Sequence, residues 1–256
     1  MDSLSLQRSF AIELARNCAT YIRNHFTLGI TKEWKEDKSP VTAVDKAVDR
    51  RVIRAIQKQF PNDTIISEES PARKGTSGDA WVIDPIDGTI PFSHGVPTFC
   101  FSLAFVRDGK PLIGVIIDPI ARREFIGIHG VGATCNKKRM QLPRIVSSRP
   151  LVALEGFFRW DRAPIVYPTI AQKYLVVQLA CITYDAMMVA LGNFGATVYP
   201  YKNPWDIAAV DVIVREAGGI VTNLSGAPQR YDQPIHGAII SHPQLYSSIK
   251  KMVGRK

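Results

Sequence analysis

The sequence has little sulfur chemistry to offer. Its four cysteines, Cys18, Cys100, Cys135 and Cys181, form no C-x-x-C pair, which argues against a structural zinc site or a dithiol redox motif. Cys18 and Cys100 sit among apolar residues and read as small core side chains. There is no long hydrophobic run either. The longest strongly apolar stretch, 98–106, falls far short of the ~20 residues that a membrane helix needs. The first residues, Met-Asp-Ser-Leu-Ser-Leu-Gln-Arg, lack the basic head and apolar run of a secretory signal. Repeats, low-complexity tracts and an aromatic-interleaved basic stripe are also missing, so nucleic acid is an unexpected partner. The expectation is a soluble, cytoplasmic chain without a membrane partner.

What is present is an ordinary globular balance: 256 residues, 46% hydrophobic and 21% charged. Lys and Arg exceed Asp and Glu by 32 − 23 = 9, an excess that steers anionic partners such as a small phosphorylated metabolite. Leu6, Phe10, Leu14, Cys18, Ile22 and Phe26 recur every four residues, one face of a helix that Gly29 stops. A second helix is expected over 43–60, with Val44, Val48, Val52, Ile53 and Ile56 inward. Strands are expected at 64–67, 81–83, 99–107, 111–117 and 124–129, and a turn at 130–132. Beyond 143–150 the pattern changes. Strands at 151–156, 174–179, 219–223 and 238–241 alternate with helices near 168–172, 185–191 and 204–217. The first half therefore reads α+β with an antiparallel sheet and the second half α/β. The division falls into an N-terminal part, 1–148, and a C-terminal part, 149–256.

The chemistry concentrates in Asp84-Pro-Ile-Asp87-Gly-Thr89. Two carboxylates three residues apart at a strand exit can share a divalent ion. An all-oxygen set without His or Cys favours Mg²⁺ or Mn²⁺ over zinc. Gly88 lets the backbone approach a ligand, and Thr89 adds a hydroxyl and an N–H. A helix beginning there would seat an anion, and an ion beside an anion seat points to phosphate ester hydrolysis. Each piece also has a plain structural reading. Asp-Gly is ordinary turn chemistry. Glu68-Glu69, at another strand end, reads as a solvated loop or as a pair awaiting a cation. Asp206, after Trp205, reads as a helix-start acid. Thr42 with Asp45 resembles a capping box with Asp in the usual Glu position.

Taken in order, these pieces resemble the inositol monophosphatase superfamily. The matching residues are Val41-Thr42-x-x-Asp45, the Glu68-Glu69 pair, Trp81-x-Ile-Asp84-Pro-Ile-Asp87-Gly-Thr89, Trp205-Asp206-x-Ala-Ala209 and Glu216-Ala-Gly-Gly219. The resemblance implies a layered αβαβα sandwich, a homodimer, and a phosphatase using two or three Mg²⁺ ions, with Mn²⁺ as a substitute. It implies Glu68, Asp84, Asp87 and Asp206 as metal ligands, joined by the Ile86 carbonyl. Asp45, Thr89 and Glu68 would act on the attacking water, and Gly88 and Thr89 would hold the phosphate. The sequence departs from the pattern at Ile90-Pro91. It departs again at Tyr199, where inositol-type members carry a glutamate that touches substrate hydroxyls. With Lys202 nearby, Tyr199 is expected to favour a sugar or inositol phosphate bearing a second anionic group, Asp206 also touching substrate. Histidinol phosphate and 3′(2′),5′-bisphosphate nucleotides are alternative substrates. A non-catalytic anion- or RNA-binding protein on the same fold is the alternative of another class.

Overall fold

The computed structural model describes residues 4–27, 29–36, 40–143, 148–156 and 161–254. Elements are numbered in chain order. Helices α1 (Ser5–His25) and α2 (Ala43–Gln59) form the first layer. A short antiparallel ribbon of β1 (Lys32–Trp34) and β2 (Pro40–Thr42) lies between them in sequence. The second layer is a seven-stranded sheet in chain order. Its strands are β3 (Thr64–Ser67), β4 (Asp79–Asp87), β5 (Cys100–Arg107), β6 (Lys110–Asp118), β7 (Arg123–Ile128), β8 (Gly132–Cys135) and β9 (Lys138–Met140). Only β3 and β4 run parallel; every later pair is antiparallel. The short helix α3 (Thr89–Ser93) follows β4.

The second sheet contains β10 (Leu151–Leu154), β11 (Leu175–Val177), β12 (Ala196–Tyr199), β13 (Ile220–Thr222) and β14 (Ala238–Ser241), in the order β11-β10-β12-β14-β13. It is mixed: β10 pairs in parallel with β11 and β12, and β14 runs antiparallel to β12 and β13. Helices α5 (Ile182–Ala190) and α6 (Ala208–Glu216) lie between the sheets, while α4 (Ala163–Ala171) and α7 (Pro243–Val253) cover the far face. The result is the layered αβαβα sandwich that the resemblance implied.

Side-chain size sets the spacing of the layers. Along β4 and β5, Trp81, Ile83, Phe101, Leu103 and Phe105 alternate toward α1 and α2. Ala80, Val82, Cys100, Ala104 and Val106 point the other way, toward the middle layer, as the strand period of two requires. Both faces are covered, so the middle of these strands is apolar on both sides rather than half polar. Glycine brings α6 closer still. A Cβ on Gly114 would lie 2.5 Å from the Ala209 carbonyl oxygen, and one on Gly127 2.7 Å from the Ile213 Cα. Any larger residue there would push α6 off the sheet.

The structure corrects several sequence expectations. The buried stripe of α1 is Ala11, Ala15, Cys18, Ala19 and Ile22, whereas Leu6 is 54% exposed: alanines allow closer packing than the larger residues beside them. Strand β4 continues through Asp87, so the Asp-Pro-Ile-Asp segment belongs to the strand and not to a turn after it. The helix expected over 204–217 starts at Ala208. The one expected near 168–172 begins at Ala163 and contains Pro168. Strands β1, β2, β8, β9 and β12 and helix α7 were not anticipated. The expected change of pattern at 143–150 falls partly outside the described residues.

Candidate active site

Two acids three residues apart on a regular strand point to opposite faces. Here they do not, because the β4–β5 ladder slips: Asp84 pairs with Ser102 and Asp87 with Cys100, three steps on one strand against two on the other. The extra residue is a bulge that re-aims a side chain. Pro85, which has no N–H to give to the ladder, falls inside it. Asp206 arrives from another layer. It lies in the turn before α6, where the N–H groups of Ile207 and Ala208 both donate to the Pro204 carbonyl. With α6 pressed onto Gly114 and Gly127, one carboxylate oxygen from each of Asp84, Asp87 and Asp206 lies within 4.8 Å of the others.

This arrangement carries electrostatic strain. Burial pushes the Asp84 and Asp206 carboxyls well above the usual range, and their mutual repulsion with Asp87 and Glu68 pushes further. Burial also raises Asp87, opposed by its donors. Asp84 Oδ1 is buried with no hydrogen-bond partner, an arrangement that costs free energy unless a cation is its partner. An oxygen-only donor set of this charge fits a hard divalent ion.

Each acid is held by neighbours. Thr183 donates to Asp87 Oδ2 from its N–H and its hydroxyl, both at 2.6 Å, and the Cys181 thiol approaches the same oxygen at 3.3 Å. The Tyr199 hydroxyl donates to Asp206 Oδ2, as does Asn203 Nδ2 at 3.3 Å. Tyr199 therefore borders the cleft with its hydroxyl proton given to Asp206. Asp45 sits in the first turn of α2, where it completes a capping box with Thr42. Its carboxylate accepts the Thr42 N–H at 2.9 Å and the Thr89 hydroxyl at 3.3 Å. The same hydroxyl reaches the Ile86 carbonyl at 3.1 Å. Burial raises the Asp45 carboxyl to about 6.

Gly88 turns the chain into α3 at φ +90°. A Cβ there would meet the Thr98 carbonyl oxygen at 2.8 Å, so both its conformation and its surroundings call for glycine. The first N–H groups of α3, starting with Thr89, have no acceptor within the helix. Glu68 lines the same cleft but lies outside the group of three carboxylates. Its partner is Lys35, whose Nζ bridges Glu68 at 2.9 Å and Glu69 at 2.5 Å. The cation that the acidic pair called for is thus supplied in part by the chain itself. Burial and repulsion from Glu68 still raise Glu69 to about 7, with Lys35 opposing.

Glu68, Asp84, Asp87, Thr89, Tyr199 and Asp206 line a cleft of about 560 Å³, with exposed Lys202 on its border. Its wall adds Glu155, which the motifs did not reveal. Glu155 accepts the Ala180 N–H at 3.1 Å. A strand-end acid followed by glycine, as in Glu155-Gly156, was the available signal. Thr183, Cys181 and Lys35 left none, because the pairing of distant elements makes their roles. Among the described residues, no helix is long and apolar enough to cross a membrane.

A layered αβαβα sandwich with an oxygen-only carboxylate cluster that could hold a metal ion defines a recognisable class of proteins. Within it, the chain belongs to the inositol monophosphatase family, which it matches over residues 4–253. It is 34% identical over 218 residues to a Thermotoga maritima protein named fructose-1,6-bisphosphatase/inositol-1-monophosphatase, covering 85% of this chain and 84% of that one. It is 35% identical over 202 residues to the Nus factor SuhB of Pasteurella multocida, covering 75% and 74%. Among solved structures, Thermotoga maritima IMPase superposes with a TM-score of 0.86 at 30% identity, covering 99% of this chain and 97% of that one.

Proposed function

We propose that this protein is a Mg²⁺-dependent phosphatase of small phosphate monoesters. The observation that carries the reading is the convergence of Asp84, Asp87 and Asp206 beside the Gly88–Thr89 turn. These three carboxylates, with Glu68 and the Ile86 carbonyl at the cleft, would hold the ions. When bound, Mg²⁺ supplies Lewis acidity and offsets charge on the phosphoryl oxygens. The chain's own residues do the rest. The Gly88 and Thr89 N–H groups hold the phosphate. Thr89 orients the attacking water and Asp45 draws its proton through the Thr89 hydroxyl. Tyr199 and Thr183 fix the acids they touch. In-line attack makes such positioning and charge placement the main tools of catalysis.

For the substrate, a sugar phosphate with a second anionic group is the best-supported class. Tyr199 presents no carboxylate to repel it, Lys202 borders the cleft, and the relative named for fructose-1,6-bisphosphatase activity points the same way. A homodimer in the cytoplasm is the expected setting. Chelation with EDTA should abolish turnover of fructose 1,6-bisphosphate, and Mg²⁺ should restore it; undiminished turnover in a metal-free sample would overturn the mechanism. The relatives named Nus factor SuhB and the net charge of +9 favour one second reading, a non-catalytic RNA-binding role. Retention of RNA together with absence of turnover on sugar, inositol, histidinol and nucleotide phosphates would select it.

A further inference from the structure

A second cavity, of about 340 Å³, opens between α1 and the β6–β7 and β8–β9 turns. Its floor is apolar, made by Ala19, Ile117 and Pro119, and its wall carries Arg16, Arg23, Arg122 and Lys137. Two carboxylates also line it, and both are already engaged. Glu124 takes Arg16 Nε and Nη2 at 2.5 and 2.9 Å. Asp118 turns to Arg123 Nη2 at 2.7 Å and to the N–H groups of Ile120 and Ala121. Among the described residues, Arg23, Arg122 and Lys137 show no hydrogen bond or ion pair from their side chains. Three cations thus line one cavity with no ion pair of their own, beside two carboxylates that Arg16 and Arg123 engage.

The rim that holds them is fixed. Asn136 Nδ2 donates to the Arg122 carbonyl at 3.0 Å, and its Oδ1 accepts the Glu124 N–H at 2.8 Å. Asn136 and Lys137 form the two-residue turn between β8 and β9 at φ +48° and +66°, the left-handed geometry that such a hairpin turn requires, and Arg122 sits at φ +54°. We infer that this cavity is a second anion site, distinct from the catalytic cleft, that takes a small phosphorylated molecule with an apolar body. The body rests on Ala19, Ile117 and Pro119; the phosphate faces Arg23, Arg122 and Lys137. Charge-assisted contacts of this kind are the strong ones in phosphate recognition.

Pyridoxal 5′-phosphate, an aromatic phosphate with an aldehyde, is the probe. Its aldehyde condenses with a lysine amine to an imine and water, and borohydride traps the imine. The full chain is treated with equimolar reagent in EDTA, which silences phosphatase turnover, and labelled lysines are mapped by peptide mass spectrometry. Lys137 should carry the label ahead of its neighbour Lys138 and of Lys202. Either Arg122→Glu or Arg23→Ala should lower Lys137 labelling roughly tenfold, the worth of one charged contact, with Lys202 labelling and Mg²⁺-dependent turnover unchanged. Equal labelling of Lys137 and Lys138, or labelling indifferent to both variants, would overturn the site. Loss of turnover in the wild type would count against the phosphatase reading alone.

Discussion

Asp87 illustrates what a single side chain does here. It is buried, repelled by its neighbours and held by Thr183 and Cys181. Asp87→Asn keeps an oxygen for the Thr183 donors and removes a negative charge. The metal-free variant should therefore fold and melt above the wild type, since repulsion with Asp84 and Asp206 is relieved. Its turnover should fall by roughly two orders of magnitude or more, as when an electrostatic contributor to a transition state is deleted. Thermal melts in EDTA and kinetics at saturating Mg²⁺ check the two halves; near wild-type turnover would remove Asp87 from the machinery. Asp84, Asp87 and Gly88 were legible in the sequence because they work within one short segment. Tyr199 was legible only as a departure from a pattern. That its hydroxyl serves Asp206 depends on β12 delivering it beside the turn before α6, a tertiary fact that spacing does not encode.

At the scale of an element, the start of α2 joins folding to chemistry. Thr42 caps the helix by accepting the N–H groups of Val44 and Asp45 at 3.2 and 3.4 Å, and its hydroxyl also donates to Asp45. Thr42→Val should cost about 1 kcal/mol of stability, the usual worth of an N-cap. It should also move the acid limb of the pH–rate profile above pH 6. In the wild type, burial sets Asp45 at about 6 with the Thr42 hydrogen bonds opposing, and losing one of them favours the protonated form further. Denaturant melts and kcat/KM against pH check both effects; an unmoved acid limb would detach Asp45 from the rate. This capping box was readable because Thr and Asp three residues apart are a local signal. Helix α7 was not: its N-cap is His242, whose ring Nδ1 accepts the Gln244 N–H at 3.2 Å, outside the usual Ser, Thr, Asp and Asn. Strand β12 is buried along its whole length and so lacks the alternation that marks a half-exposed strand.

Across the whole molecule, buried acids bias stability toward low pH. Asp45 is raised to about 6, Glu69 to about 7 and Asp185 to about 10, while Asp84, Asp87, Glu155, Asp206 and Asp211 are raised as well. Each binds its proton more tightly folded than unfolded, so the folded state holds more protons between the unfolded and folded values. The stability contributed by these groups therefore falls as pH rises through that window. The metal-free protein should melt higher at about pH 5.5 than at about pH 7.5, and saturating Mg²⁺ should reduce or reverse the difference by binding the ionised cluster. Calorimetry with and without EDTA tests this; a metal-free melting point that rises with pH would contradict it. The clustered carboxylates have one more consequence. Asp84 and Asp87 belong to the large sheet, whereas Asp206 belongs to the turn that feeds the middle helical layer. An ion held by all three acids, as proposed, would tie these two layers together.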